Sequence, residues 1–155
     1  MNIVDHLQDL TIALKRPKLK ALVLPFNGIE QNYCIYFLHV LNFTTLQDLD
    51  LSSNWFGLTG LGKFCTAFSK FKDLRKLNLN NNKLCVEDGH DSSIFQSALE
   101  AVSSHLEELR ICENSIRDED MVSFLTTAIC KMTNLKVLEL SRNPMTVIGL
   151  VGLFN

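Results

Sequence analysis

Residues 74–82 read Leu74-Arg75-Lys76-Leu77-Asn78-Leu79-Asn80-Asn81-Asn82, a line of Leu, two variable, Leu, one variable, Leu, two variable, Asn. The line recurs upstream as Leu46-Leu49-Leu51-Asn54 and Leu19-Leu22-Leu24-Asn27. Downstream it recurs as Leu106-Leu109-Ile111-Asn114 and Leu135-Leu138-Leu140-Asn143. Successive lines begin 27, 28, 32 and 29 residues apart, and Ile111 is the one departure from Leu. A period of this size marks a supersecondary unit that cannot bury its apolar face alone, so neighbouring units must stack into one continuous core. The chain therefore predicts a single solenoid domain over 1–155, with repeats starting near 19, 46, 74, 106 and 135 and the last repeat incomplete.

Inside each line, Leu-x-Leu has the period of two that belongs to a short strand with one buried face. After each Asn the apolar spacing turns helical. Leu61, Phe64, Cys65 and Phe68 follow Asn54; Ile94, Phe95, Ala98, Leu99 and Val102 follow Asn82; Met121, Val122, Leu125, Ala128, Ile129 and Met132 follow Asn114. Each set forms one stripe of an amphipathic helix. Thr59, Asp91 and Asp118 stand where N-caps are wanted. The predicted class is α/β, a curved solenoid with parallel strands on the concave face and helices on the convex face. The recurring Asn is expected to be structural, satisfying backbone groups at the bend after each strand and bridging to the next repeat.

The two ends differ. Residues 2–16 read as an amphipathic helix, with Ile3, Leu7, Leu10 and Leu14 on one face and Pro17 ending it, so 1–16 is expected to cap the first repeat. After Asn143 and Pro144 a last helix is expected to begin near Thr146, and its run Val-Ile-Gly-Leu-Val-Gly-Leu-Phe leaves nothing polar to close the stack. Two readings follow: a truncated or short carboxyl terminus, or an exposed end that self-associates.

Composition narrows the function. The 155 residues are 46% hydrophobic with a formal net charge of -2, which supports a buried core and excludes a strongly basic nucleic-acid binder. No apolar run reaches the roughly 18 residues that span a bilayer, and the amino terminus lacks a signal-peptide layout. Five cysteines, Cys34, Cys65, Cys85, Cys112 and Cys130, are an odd number without close pairs, so reduced thiols are expected.

On these five lines the chain resembles the leucine-rich repeat family. The repeat lengths, with a full helix after each Asn, are similar to its ribonuclease-inhibitor-like subclass. That resemblance implies an α/β horseshoe, a cytoplasmic location (a host cytosol if a pathogen secretes the protein), and protein binding through the concave face. Similar proteins include ribonuclease inhibitor, repeat domains of intracellular immune receptors and small bacterial effectors. The strict alternation of two repeat types found in ribonuclease inhibitor is absent here, so ribonuclease as target does not carry over.

The variable strand positions set the candidate surface. They supply Asp48, Asp50, Glu108, Glu113 and Glu139 against Lys76, Lys83, Arg110 and Arg142. Asp48 and Asp50, beside Lys76 and Asn78, suit a basic side chain of a partner better than acid–base catalysis, because an open sheet desolvates carboxylates too little to split their pKa values. Phe26 and Trp55 are aromatics the repeat does not require, and such residues are enriched among binding hot spots. The candidate protein-binding set is Phe26, Asp48, Asp50, Trp55, Lys76, Asn78, Arg110 and Glu139.

Catalytic and metal readings are weaker. Cys65 and Cys130 are expected to face the core and be inert, and Cys112 has only a distant His105 for a base. The loop Cys85 to Asp91, which lengthens one spacing to 32, carries potential ligands but no recurring ligand pair. No catalytic residue, cofactor or metal is expected. The predicted function is a non-enzymatic regulator or inhibitor that docks on another protein, an enzyme among the candidates, with no nucleic-acid or membrane partner. The alternative is a fragment of a larger sensor, scaffold or effector.

Overall fold

The computed structural model describes residues 19–34, 45–85 and 93–154. The expected amino-terminal cap over 1–16, the N-cap role of Asp91 and most of the loop after Cys85 lie outside these residues. Five three-residue strands, β1 (Ala21–Val23), β2 (Asp48–Asp50), β3 (Lys76–Asn78), β4 (Glu108–Arg110) and β5 (Val137–Glu139), form one sheet in chain order. Every pair is parallel and in repeat register, Leu22 against Leu49, Leu77, Leu109 and Leu138 in turn.

Helices follow β2, β3, β4 and β5: α1 (Gly57–Phe68), α2 (Ser93–Glu100), α3 (Asp118–Asp120), α4 (Thr126–Cys130) and α5 (Val147–Val151). A π turn, Met121–Leu125, joins α3 to α4, and the Thr126 hydroxyl donates to the Met121 carbonyl at 2.8 Å. α1 packs on α2, α2 on α4, and α5 on α3. The strand leucines and the helix stripes meet in one apolar cluster. Phe56, Phe64, Phe68 and Phe71 form a run through it with successive ring centroids 5.4, 5.6 and 5.9 Å apart.

The Asn ladder stitches the stack, as the sequence leads one to expect. The Asn54 amide donates to the carbonyls of Leu24, Leu51 and Ser52, while its Oδ1 accepts the N–H of Asn27 at 3.0 Å and of Ile29 at 3.1 Å. Asn54, Asn82 and Asn114 each donate their own N–H to the Oδ1 of the next Asn in line, at 3.1, 2.8 and 2.8 Å. All three are fully buried. Without these bonds the turning backbone would leave several buried polar groups unpaired, at about 1–3 kcal/mol each.

The structure corrects four local expectations. Thr59 lies inside α1, whose N-cap position is Phe56; Phe56 turns into the core instead, so apolar burial and not a hydroxyl holds this helix start. Asp118 is the first residue of α3, not its cap. Its carboxylate reaches the next repeat, accepting the N–H and hydroxyl of Thr146 at 2.8 and 2.7 Å and the N–H of Gly149 at 3.0 Å. Val122 is exposed, because Met121 takes the core position and the next residue points about 100° away. Cys130 is exposed as well, since the core positions around it are Ala128 and Met132, which flank it on the opposite face.

Candidate functional site

Alternation along each strand sends the residues flanking the central Leu to the face of the sheet away from the helices. Register aligns them into two rows across the repeats. One row is Ala21, Asp48, Lys76, Glu108 and Val137, and the other is Val23, Asp50, Asn78, Arg110 and Glu139. A depression of about 160 Å³ opens in the middle, lined by Val23, Asp48, Asp50, Lys76, Leu77, Asn78, Glu108 and Arg110.

Charges on this floor are mostly paired to one another. Lys76 Nζ lies 2.7 Å from Glu108 Oε1, Arg110 lies 3.4 Å from the other Glu108 oxygen, and Arg110 Nε lies 3.3 Å from Glu139. That last contact has ion-pair distance but is misaligned for a hydrogen bond, so Nε keeps an unused donor. The Glu108 carboxylate beside Lys76 raises the lysine's pKa and keeps it a cation. Asp50 is fully engaged, accepting from the Ser52 N–H and hydroxyl at 2.9 and 2.7 Å and from the Asn78 amide at 3.0 Å. The Asp48 carboxylate has no hydrogen-bond donor or salt-bridge partner within bonding distance among the described residues, although its charge helps to raise the Lys76 pKa, so its oxygens remain open to an incoming donor.

The aromatic pair sits at the turns. Phe26, just before its Asn, is 81% exposed, and Trp55, just after its Asn, is 57% exposed. Both occupy the left-handed backbone region, at φ of 56° and 57°, and the same two turn positions are left-handed in other repeats at Ser53, Asn81, Lys83, Glu113, Ser115 and Arg142. The tight turn demands positive φ there, a conformation costing a non-glycine residue about 1–2 kcal/mol. Gly28 meets this demand without strain; Phe26 and Trp55 bear it and gain little burial in return. Lys83 Nζ stands 4.9 Å from the Trp55 ring centroid, a cation–π contact linking adjacent repeats.

The structure thus gathers Asp48, Asp50, Lys76, Asn78 and Arg110 around one depression, holds Glu139 beside it through Arg110, and sets Phe26 and Trp55 at the turns beyond. Glu108, absent from the sequence-based set, is the hub that pairs with both Lys76 and Arg110; its place at the first variable strand position, in register with Asp48 and Lys76, was the available signal.

The five free thiols sit in different surroundings. Cys34 is buried, and desolvation pushes it up to about 12. Burial also raises Cys85 and Cys65. Cys112 is buried with its sulfur 3.2 Å from the Ser141 hydroxyl, whereas His105 Nδ1 lies 2.9 Å from Ser104. Among the described residues, no helix is long and apolar enough to cross a membrane.

Comparison with known families agrees with this geometry. Residues 44–65 and 131–154 match one leucine-rich repeat model, and residues 73–98 match a second. No curated protein matches the chain. The matched segments each contain a strand of the sheet, β2, β5 and β3, with helical residues after it.

Proposed function

We propose that this α/β leucine-rich repeat solenoid is a non-enzymatic protein-binding module that docks on another protein and regulates it by covering part of its surface. Repeats of this kind are commonly protein–protein interaction modules. The repeat lengths, with helix after each strand from β2 onward, favour the ribonuclease-inhibitor-like subclass. The observation that carries the reading is the aromatic pair: Phe26 and Trp55 stand exposed at strained turn positions, where the core has no use for their rings. Near them lies a depression in which Glu108 and Glu139 offset Lys76 and Arg110, Asp50 is held by the neutral donors of Ser52 and Asn78, and the Asp48 oxygens are left open. In our reading a partner's apolar side chain packs on Trp55 and Phe26 while its Lys or Arg meets Asp48.

The test is affinity capture from the native source, with the parent and folded Trp55→Ala, Phe26→Ala and Asp48→Asn variants run side by side. A partner retained by the parent and lost from the aromatic variants supports the proposal. A partner held equally by all four overturns this placement of the site.

A further inference from the structure

One row of the concave floor sets a lysine between two acids. In the register of the sheet, Lys76 on β3 stands beside Asp48 on β2 and beside Glu108 on β4. Neighbouring strands lie about 4.8 Å apart, so an ammonium on a flexible four-carbon stem can reach the carboxylate on either side. It takes one of them. Lys76 Nζ is 2.7 Å from Glu108 Oε1, while the Asp48 carboxylate has no hydrogen-bond donor or salt-bridge partner within bonding distance among the described residues. The Glu108 hydrogen bond is the main cause of the raised lysine pKa, and the charge of Asp48 adds to it from the opposite side. Lys76 is therefore drawn both ways, and its side chain, 51% exposed, has room to turn.

What fixes the choice lies on β4 and β5. Glu108 Oε2 accepts from Arg110 at 3.4 Å, and Arg110 Nε lies 3.3 Å from Glu139. These contacts tether Glu108 while its other oxygen holds the lysine. On its far side Asp48 has only Ala21 in register, whose methyl group offers no donor. Exposed ion pairs are weak, so the two pairings of Lys76 are close in free energy and a single carboxylate can decide between them.

We propose that Glu108 is the positioning residue of the binding site: it holds Lys76 away from Asp48 and so keeps the Asp48 carboxylate free for a cationic side chain of the partner. Lys76 is then a built-in competitor. Released by Glu108, it pairs with Asp48 and occupies the place of the partner's Lys or Arg. This role rests on the proposed use of Asp48 by the partner, and it extends the site to a residue that the partner need not touch.

Carboxylate footprinting of the 155-residue chain tests the role with no partner present. Carbodiimide-driven coupling of glycine ethyl ester labels open carboxylates, and tandem mass spectrometry separates Asp48 from Asp50. In the parent, Asp48 should label faster than Asp50, which Ser52 and Asn78 engage. In Glu108→Gln, with an unchanged circular dichroism spectrum, Asp48 labelling should slow at least about twofold, the scale of an exposed ion pair. Combining Glu108→Gln with Lys76→Met should restore the parent rate, and Lys76→Met alone should not lower it. Asp48 labelling that is unchanged in Glu108→Gln, or a loss that persists once Lys76 is removed, overturns the proposal. Asp48 protected in the parent would overturn it too, by removing the open carboxylate. A partner that docks elsewhere leaves all of these rates as they are, so failure of the docking reading is distinguished from failure of the positioning role.

Discussion

At the scale of single residues, two kinds of position behave in opposite ways. Asn82 donates to the carbonyls of Leu51, Leu79 and Asn80 and accepts from the Asn54 N–H, all inside the stack. Asn82→Ala should therefore destabilise by on the order of 3 kcal/mol or more in urea unfolding, because several buried backbone groups lose their partners together. Trp55 is the reverse case. Replacing it with Gly relieves the left-handed strain but adds chain entropy to the unfolded state, and these terms nearly offset. Trp55→Gly should leave stability within about 1 kcal/mol of the parent while weakening partner binding by about 2 kcal/mol or more, chiefly through faster dissociation. A large loss of stability would show that the ring belongs to the core.

Whole elements respond according to what lies on either side of them. Leu77, in the central strand, is sandwiched between repeats, so Leu77→Ala should cost about 2–5 kcal/mol. The same change at Leu138, which is only partly buried on the edge strand, should cost clearly less. Equal losses would contradict the register. Helix α1 offers a finer comparison between two glycines. A Cβ at Gly60 would lie 2.5 Å from Phe56 Cβ, 3.0 Å from Cys34 Sγ and 3.3 Å from the Gln31 backbone. Gly60→Ala should thus separate the first two repeats and destabilise by about 1–3 kcal/mol. At Gly62 the neighbour is the Ile94 side chain at 3.0 Å, which can turn aside. There the gain in helix propensity, about 1 kcal/mol, should offset most of the crowding.

For the whole molecule, stability follows pH through groups that bind repeats together. His105 titrates below its ordinary 6.5, mainly because burial disfavours the imidazolium. The unfolded chain thus binds a proton at higher pH than the folded one, and stability should fall as pH drops below about 6.5. His105→Gln should flatten that limb in urea midpoints measured from pH 7 to 5. A second fall belongs to carboxylates held below their usual range: Glu100 by Lys131 and Gln96, Glu107 by Lys136, and Asp118 by Thr146. Their contribution is complete above the usual carboxylate pKa and is lost as pH falls through the lowered values. An acid limb unchanged by Asp118→Asn would remove the inter-repeat carboxylate from this account.

Periodicity alone determined the repeat, the strand at each Leu line, the helix after each line from the second onward and the buried Asn ladder. These are local patterns that each unit must solve in the same way, so any one line announces its neighbours. The variable strand positions were also legible as a surface, since alternation sends them away from the core. Only the stacked structure decided how that surface is wired: that Asp50 is held by Ser52 and Asn78, that Glu108 joins Lys76 to Arg110, and that Asp48 is left over. It also decided that Phe56 fills the helix start in place of a Thr59 cap, that Asp118 reaches forward to Thr146, and that Val122 and Cys130 face solvent. Each of these depends on contacts between side chains roughly one repeat apart or on the local turn of a helix. The distances that settle them arise only when one repeat lies on the next.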